Sequence, residues 1–127
     1  MPSSPDKTEA ITAAVNRYIE LAGKGRAEDI AELYTDDAIV EDPVGGERHI
    51  GRDAIQSFYA NIENLDRECE LVSLRVAGNE AAFQFRLTVG AGDNRILIEP
   101  IDVMVFDDDT KVTAMKAYWS PANVTQL

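Results

Sequence analysis

Residues 81–106, AAFQFRLTVGAGDNRILIEPIDVMVF, alternate between apolar and polar positions in the way that is typical of β-strands. One strand is predicted over 81–89, and the glycine-bearing stretch 90–94 is predicted to form a turn. Residues 95–106 are predicted to form one long strand that is apolar on both faces. Such a strand needs cover on both sides, so we expect helices on one face, and a second subunit is a candidate cover for the other.

The chain before this stretch is predicted to be mostly helical. Apolar residues at helical spacing indicate a first amphipathic helix over 7–22. A short second helix follows, with Ile30, Leu33 and Tyr34 on its apolar side, and a third begins at Gly51.

Shorter strands complete the predicted sheet. A strand over 38–42 ends at Pro43, and 44–50 is predicted to be a loop. Two further strands are predicted over 69–77 and 111–119. Helices first and then a meander of strands predict an α+β fold, with the helices packed on one face of a curved antiparallel sheet.

Length and composition restrict the domain organisation and the compartment. A chain of 127 residues and 14.0 kDa, 45% of them hydrophobic, fits a single globular domain over 1–127, because domains average ~150 residues. The start, MPSSPDKTEA, lacks the basic region and apolar core of a secretory signal, and no apolar run is long enough to span a bilayer. A single cysteine cannot form an internal disulfide. These features predict a cytoplasmic protein.

Charge and motif content exclude several functions. Twelve Lys and Arg against 23 Asp and Glu give a net charge of −11, which repels nucleic acids and anionic membranes. His49, predicted to be solvated in its loop, and Cys69 cannot by themselves supply a zinc site. Neither GxGxxG nor GxxxxGKS/T is present. We therefore expect no nucleic acid, no membrane insertion, no metal and no cofactor, and chemistry carried by carboxylates and phenols.

Asp102 is the most informative polar position, because it interrupts an apolar strand. Its neighbours on the same face are Pro100 and Met104. Burying an ionised carboxylate there is very costly, so we expect the group to stay protonated or to have strong donors around it. A protonated carboxyl can donate a hydrogen bond to a carbonyl oxygen. The alternative is an Asp that faces water at a sheet edge or is held by an arginine, and the pattern alone leaves both possibilities open.

Four other candidates each have an ordinary structural explanation. Asp42 precedes Pro43 at a strand end, and Asp-Pro pairs are common in turns. Tyr18 lies on the apolar stripe of the first helix, where a core tyrosine is unremarkable. Tyr34 and Tyr59 occupy inward positions on the other two helices. The three phenols could form a hydrogen-bonded chain, but periodicity cannot establish that they meet.

At these positions the chain resembles the bacterial Δ5-3-ketosteroid isomerases, over about residues 12–123. The D-A-x-x-x-D-P segment at 37–43 is a weak signal, because it recurs across the wider nuclear-transport-factor-2-like superfamily. The combination of Tyr18, Asp42 and Asp102 is much more specific. The matching segments are 17–18, 33–38, 40–45, 58–61, 79–83, 100–102 and 117–120.

The resemblance implies a cone-shaped fold, in which a strongly bent sheet wraps three N-terminal helices around a deep apolar pocket, and a homodimer packed through the sheets. Asp42 matches the general base, Tyr18 and a neutral Asp102 match the oxyanion hole, and Tyr34 and Tyr59 match the network behind Tyr18. These isomerases are themselves the well-known case of a carboxylic acid that stays neutral near pH 7. The candidate pocket walls are Phe58, Phe83, Phe85, Leu87, Ile98, Met115 and Trp119.

The implied activity is the cofactor-independent isomerisation of a Δ5-3-ketosteroid to its conjugated Δ4 isomer through a dienolate. The alternatives are another enzyme of the same fold, polyketide cyclase-like or epoxide-hydrolase-like, and a non-catalytic dimer that binds a lipophilic ligand. Epoxide hydrolases of this fold use an Asp-Arg-Asp arrangement, and alternation places Arg86, the only arginine of its strand, on the face opposite to Phe85. The orientation of Glu99 is open, and an inward Glu99 would weaken the assignment of Asp102.

Overall fold

The computed structural model describes residues 5–127. Its helices are α1 (Pro5–Lys24), α2 (Ala27–Ala31) and α3 (Arg52–Ala60), with a short 3-10 helix at Pro121–Asn123. Its strands are β1 (Tyr34–Glu41), β2 (Arg48–Ile50), β3 (Asp66–Ala77), β4 (Glu80–Ala91), β5 (Asn94–Ile98), β6 (Ile101–Phe106), β7 (Val112–Tyr118) and β8 (Val124–Gln126).

The strands form one curved, unclosed sheet in the order β2-β1-β7-β6-β4-β5-β8, and β3 pairs with β4. Among these pairs only β1 and β7 run parallel. Helix α1 packs against β3 and β4, and α3 packs against β1 and β2. The predicted α+β architecture, with helices on one face of a bent, mainly antiparallel sheet, is confirmed.

The prediction of one long strand over 95–106 is wrong. Glu99 and Pro100 separate β5 from β6, because Pro100 has no N–H to donate to a neighbouring strand. The N–H of Glu99 instead donates to the carbonyl of Asn123 at 3.0 Å. Both strands pair with β4, but β5 continues to β8 and β6 to β7.

The predicted alternation of faces holds within β6. Asp102, Met104 and Phe106 are buried, whereas Ile101 is 47% exposed. Side chains of a strand point alternately to its two faces. The position of a residue along β6 therefore predicts whether its side chain faces the helices or the outer side of the sheet.

The second helix is shorter than predicted. It ends at Ala31, and Tyr34 is the first residue of β1 rather than a helical residue. Tyr34 is nevertheless fully buried, as expected. With only five residues, α2 is too short for the spacing of its apolar residues to show where it ends. The prediction that Tyr34 points inward is therefore correct, but the prediction that it is helical is wrong.

The predicted loop over 44–50 contains β2, which pairs with the last residues of β1. His49 lies on this strand and is half-buried, so the prediction of a solvated histidine is wrong. Its ring centre is 4.5 Å from that of Phe58 on α3.

Arg67 on β3 fixes the C-terminal end of α1. Its guanidinium donates to the carbonyls of Ala22 at 2.9 Å, Gly25 at 2.6 Å and Leu21 at 3.4 Å. Helix ends leave such carbonyls without intrahelical partners, so these bonds stabilise the last turn. They also anchor the end of the helix that carries Tyr18 to the sheet.

Candidate active site

An apolar cavity opens between α1, α3 and the sheet. The space between its walls is about 730 Å³, which includes open solvent at its mouth. The lining residues are Tyr18, Ala22, Asp42, Phe58, Tyr59, Asn61, Ile62, Phe85, Leu87, Ile98, Pro100 and Trp119. Most of this surface is hydrocarbon, so the cavity suits a rigid, largely apolar ligand.

Five of the seven predicted pocket walls line this cavity. They are Phe58, Phe85, Leu87, Ile98 and Trp119. Phe83 and Met115 are instead only 1% exposed and belong to the core, with the ring centre of Phe83 6.0 Å from that of Tyr18. Alternation predicts which face a side chain occupies, but it does not predict which part of that face a helix covers.

Asp42 and Trp119 meet at the ends of the two parallel strands. Asp42 directly follows β1 and Trp119 directly follows β7, and Glu41 lies opposite Lys116 in the register. The residues just beyond both carboxyl ends are therefore neighbours, and Trp119 Nε1 donates to Asp42 Oδ1 at 2.7 Å. The sequence predicted Trp119 only as a pocket wall. The sequence did not predict that Trp119 donates to Asp42, because the parallel pairing of β1 with β7 cannot be recognised from the residues of either strand.

The Asp42 carboxyl is half-buried on the cavity wall. Burial raises the pKa of Asp42 above its usual value, since water no longer stabilises the charged form. The hydrogen bond from Trp119 and the electrostatic interaction with His49 lower this pKa and partly oppose the shift. The result is a carboxylate of increased basicity in contact with a ligand space.

Three tyrosines form a chain of hydroxyl groups behind the cavity. The hydroxyl of Tyr34 is 2.7 Å from that of Tyr59, which is 3.2 Å from that of Tyr18. All three side chains are buried, and burial is the main reason why the pKa of each phenol lies well above its usual value. At neutral pH all three phenols are therefore protonated and can donate.

Asp102 is 1% exposed and does not line the cavity. It lies opposite Phe83 on β4 and Ala117 on β7, so it is in the interior of the sheet and not at an edge. Neither of its carboxyl oxygens has a hydrogen-bond partner among residues 5–127. Burial raises the pKa of Asp102 well above its usual value, and the negative charge of Asp42 raises it further.

Arg86 and Glu99 lie outside the cavity. Arg86 Nε donates to Glu99 Oε2 at 3.2 Å, and the side chain of Arg86 is 54% exposed. Glu99 therefore does not compete with Asp102 for the interior position. Among residues 5–127 no arginine lines the cavity, although the Asp-Arg-Asp arrangement would need one.

Other reactive groups do not add to the site. Burial raises the pKa of the Cys69 thiol to about 12, so it is not an activated thiolate. Within residues 5–127 no three or more His, Cys, Asp and Glu side chains are grouped to hold a metal ion. No helix in this part of the chain is long and apolar enough to cross a membrane.

Similarity to known proteins agrees with this geometry. The SnoaL-like domain family matches residues 15–115. A steroid Delta-isomerase from Nocardioides simplex is 43% identical over 114 residues, which cover 90% of this chain and 93% of the relative. A solved structure of SalBIII, an epoxide hydrolase/cyclase-like enzyme of pyran ring formation in the polyether salinomycin, superposes with a TM-score of 0.84 at 21% identity, covering 94% of this chain and 98% of that one. The similarity to SalBIII, at 21% identity, establishes the fold alone. The chain belongs to the SnoaL-like domain family and is similar to a steroid Delta-isomerase from Nocardioides simplex.

Proposed function

We propose that the protein is a steroid Δ-isomerase, which moves the double bond of a Δ5-3-ketosteroid to the conjugated Δ4 position by transferring a proton from C4 to C6. The observation that carries this proposal is an apolar cavity whose lining includes both Asp42 and Tyr18. The identity of 43% to a steroid Delta-isomerase supports it.

Asp42 is the general base of the proposed reaction. One carboxyl oxygen accepts from Trp119, which orients the group and leaves the other oxygen free to take the C4 proton. The raised pKa of Asp42 increases its strength as a base. After C4 is deprotonated, the same carboxyl returns the proton to C6, so no proton is consumed overall.

In this proposal Tyr18 and Asp102 stabilise the negative charge that develops on the C3 oxygen. Tyr18 lines the cavity, whereas Asp102 is buried behind its wall, so donation from Asp102 requires that wall to open when the steroid binds. Each phenol has one proton, so donation from Tyr34 to Tyr59 and from Tyr59 to Tyr18 leaves the proton of Tyr18 free for the substrate. Asp102 in its neutral form also carries a proton that no group among residues 5–127 accepts. Donors held in place before the reaction need no reorganisation in the transition state.

The isomerisation of 5-androstene-3,17-dione tests the proposal. The conjugated product absorbs in the ultraviolet, so we expect a steady increase in absorbance that is first order in enzyme. A non-catalytic binder would quench the fluorescence of Trp119 without this increase, and a polyketide cyclase-like or epoxide-hydrolase-like enzyme would leave the substrate unchanged. Absence of turnover would overturn the proposed function.

Replacing Trp119 by Phe is expected to shift the pH dependence of catalysis. The Trp119 hydrogen bond stabilises the charged form of Asp42 and lowers its pKa, so its loss raises that pKa. The base must be ionised to act, and the acid limb of the kcat/KM profile follows its pKa in the free enzyme. This limb should move to higher pH in Trp119→Phe. An unchanged limb, or one at lower pH, would contradict the role assigned to the bond, whereas a change in KM alone reports only altered packing.

A homodimer packed through the outer face of the sheet is the second part of the proposal. Ile101 and Tyr118 are directly opposite each other on β6 and β7, and each is 47% exposed. Val103 and Val105 extend this apolar patch along β6, and Leu97 lies on the neighbouring β5. Exposed apolar patches of this kind mark interaction surfaces.

Light scattering at micromolar concentration should therefore give twice the chain mass of 14.0 kDa. A Glu in place of Ile101 puts a charge into the patch and is expected to give the monomer mass. Gln56→Glu, on the exposed side of α3, is the matched control and should remain dimeric. A monomer for the unaltered chain would refute the dimer.

Location in the cytoplasm and a single domain over 1–127 stay predictions from the sequence.

A further inference from the structure

Of the described residues that line the cavity, Asn61 is the one with a polar side chain that the proposed chemistry does not use. The other polar lining groups are already paired, Tyr18 with Tyr59 and Asp42 with Trp119. Asn61 directly follows α3, and its side chain makes no hydrogen bond to any of residues 5–127, although its backbone N–H is bonded to Phe58 at 3.3 Å. Its amide is therefore free to bind a ligand.

Asn61 lies at the mouth of the cavity, away from the buried phenols. Tyr59 is 4% exposed, whereas Asn61, two residues later, is exposed and lines the cavity together with Ile62. On α1, Ala22 lies one helical turn beyond Tyr18, so the cavity lining extends from the phenols towards the C-terminal ends of both helices.

The cavity lining thus includes a buried polar group, Tyr18, and an exposed one, Asn61. The apolar part of the lining includes Phe58, Phe85, Leu87, Ile98 and Pro100. In a steroid the C3 ketone and any oxygen on C17 stand at opposite ends of a rigid ring system. A steroid with its C3 oxygen at Tyr18 directs its D ring towards the mouth.

We propose that Asn61 is a specificity-determining residue that hydrogen-bonds an oxygen on the D ring, so that the enzyme favours 3-ketosteroids with a ketone or hydroxyl at C17. This inference rests on the proposed function. The amide can donate to a ketone and can both donate to and accept from a hydroxyl. Since the side chain is exposed and water competes for it, the gain in affinity is modest and adds to that of the apolar walls.

Steroid binding can be followed without turnover, because Trp119 is the only tryptophan of the chain and lines the cavity. Fluorescence titration with 4-androstene-3,17-dione and with 4-androsten-3-one, which lacks the C17 oxygen, should show tighter binding of the first. In Asn61→Leu the Kd of the dione should rise about fivefold, and that of the deoxy steroid should stay the same. Gln56→Ala, an amide removed from the exposed side of α3, is the matched control and should bind both steroids as the unaltered protein does.

A second variant distinguishes binding of a C17 ketone from binding of a C17 hydroxyl. Asn61→Asp keeps the shape but has only acceptor oxygens when ionised, so it should lose affinity for the C17 ketone and keep affinity for the C17 hydroxyl of testosterone. Equal weakening of both steroids in Asn61→Leu, or no weakening of either, would overturn the inference. If the unaltered protein bound the steroids with this preference but did not isomerise them, the proposed function would fail and the role of Asn61 in binding would stand.

Discussion

Replacing Asp42 by Asn should reduce kcat for 5-androstene-3,17-dione on the order of 10³-fold while leaving steroid binding in place. The amide has nearly the same shape as the carboxyl and can still lie beside Trp119 on the cavity wall. It cannot accept the C4 proton, so deprotonation loses its base. The apolar walls that hold the ring system are unchanged, and the Kd for a 4-ene-3-ketosteroid should change little.

The adjacent carboxylate provides the matched control for this experiment. Glu41 does not line the cavity, and its Oε2 accepts from the backbone N–H of Gly45 at 2.9 Å. Glu41→Gln makes the same chemical change one residue away and should leave kcat nearly unaffected. A decrease of less than about tenfold in Asp42→Asn, or ~1.4 kcal/mol in the barrier, would show that Asp42 is not the base.

At Asp102 an amide and a hydrocarbon should have very different effects. Asp102→Asn keeps a hydrogen-bond donor and is expected to retain much of the activity, because the neutral carboxyl and the amide can both donate to the C3 oxygen. Asp102→Leu removes the donor and leaves the oxyanion to Tyr18 alone. One lost donor of this kind costs ~3 kcal/mol in the barrier, or about a hundredfold in kcat.

Thermal unfolding distinguishes a lost donor from a damaged fold. Both carboxyl oxygens of Asp102 are buried without partners among residues 5–127, and a buried unsatisfied polar group costs ~1–3 kcal/mol of stability. A leucine at this position removes that cost, so the Tm of Asp102→Leu should be equal to or higher than that of the unaltered chain while its activity falls. If the Asn variant were as inactive as the Leu variant, Asp102 would be acting as a charged carboxylate or as a structural anchor.

Local patterns predicted the faces of the elements better than their ends. The inward positions of α1 and the alternation along β4 and β6 were visible in the sequence, because side-chain direction repeats every 3.6 or 2 residues. The end of α2 and the division at Pro100 were missed. Five residues are too few for helical spacing to mark where α2 ends, and the apolar pattern continues through Pro100 although proline has no N–H to donate to a neighbouring strand.

The candidate catalytic residues were predicted from the sequence, but their surroundings were not. Asp102 stood out because a carboxyl within an apolar strand conflicts with the cost of burying charge. By local pattern, Tyr18 is an ordinary residue on the apolar face of a helix and Asp42 an ordinary residue of a turn. Only the resemblance to the ketosteroid isomerases identified them, together with Asp102, as candidate catalytic residues. The nearly complete burial of Asp102, without a partner among the described residues, is visible only in the folded chain.

The amino-acid sequence alone predicted the α+β class, the inward-facing phenols and Asp102 as a carboxyl within an apolar strand, because each follows from local spacing and residue type. The contact of Asp42 with Trp119 and the hydroxyl chain from Tyr34 to Tyr18 depend on tertiary packing. Their residues are 77, 25 and 41 positions apart in the three hydrogen bonds. They meet because β1 pairs in parallel with β7 and because α1 and α3 pack against the same sheet, and neither arrangement leaves a periodic signal in the chain.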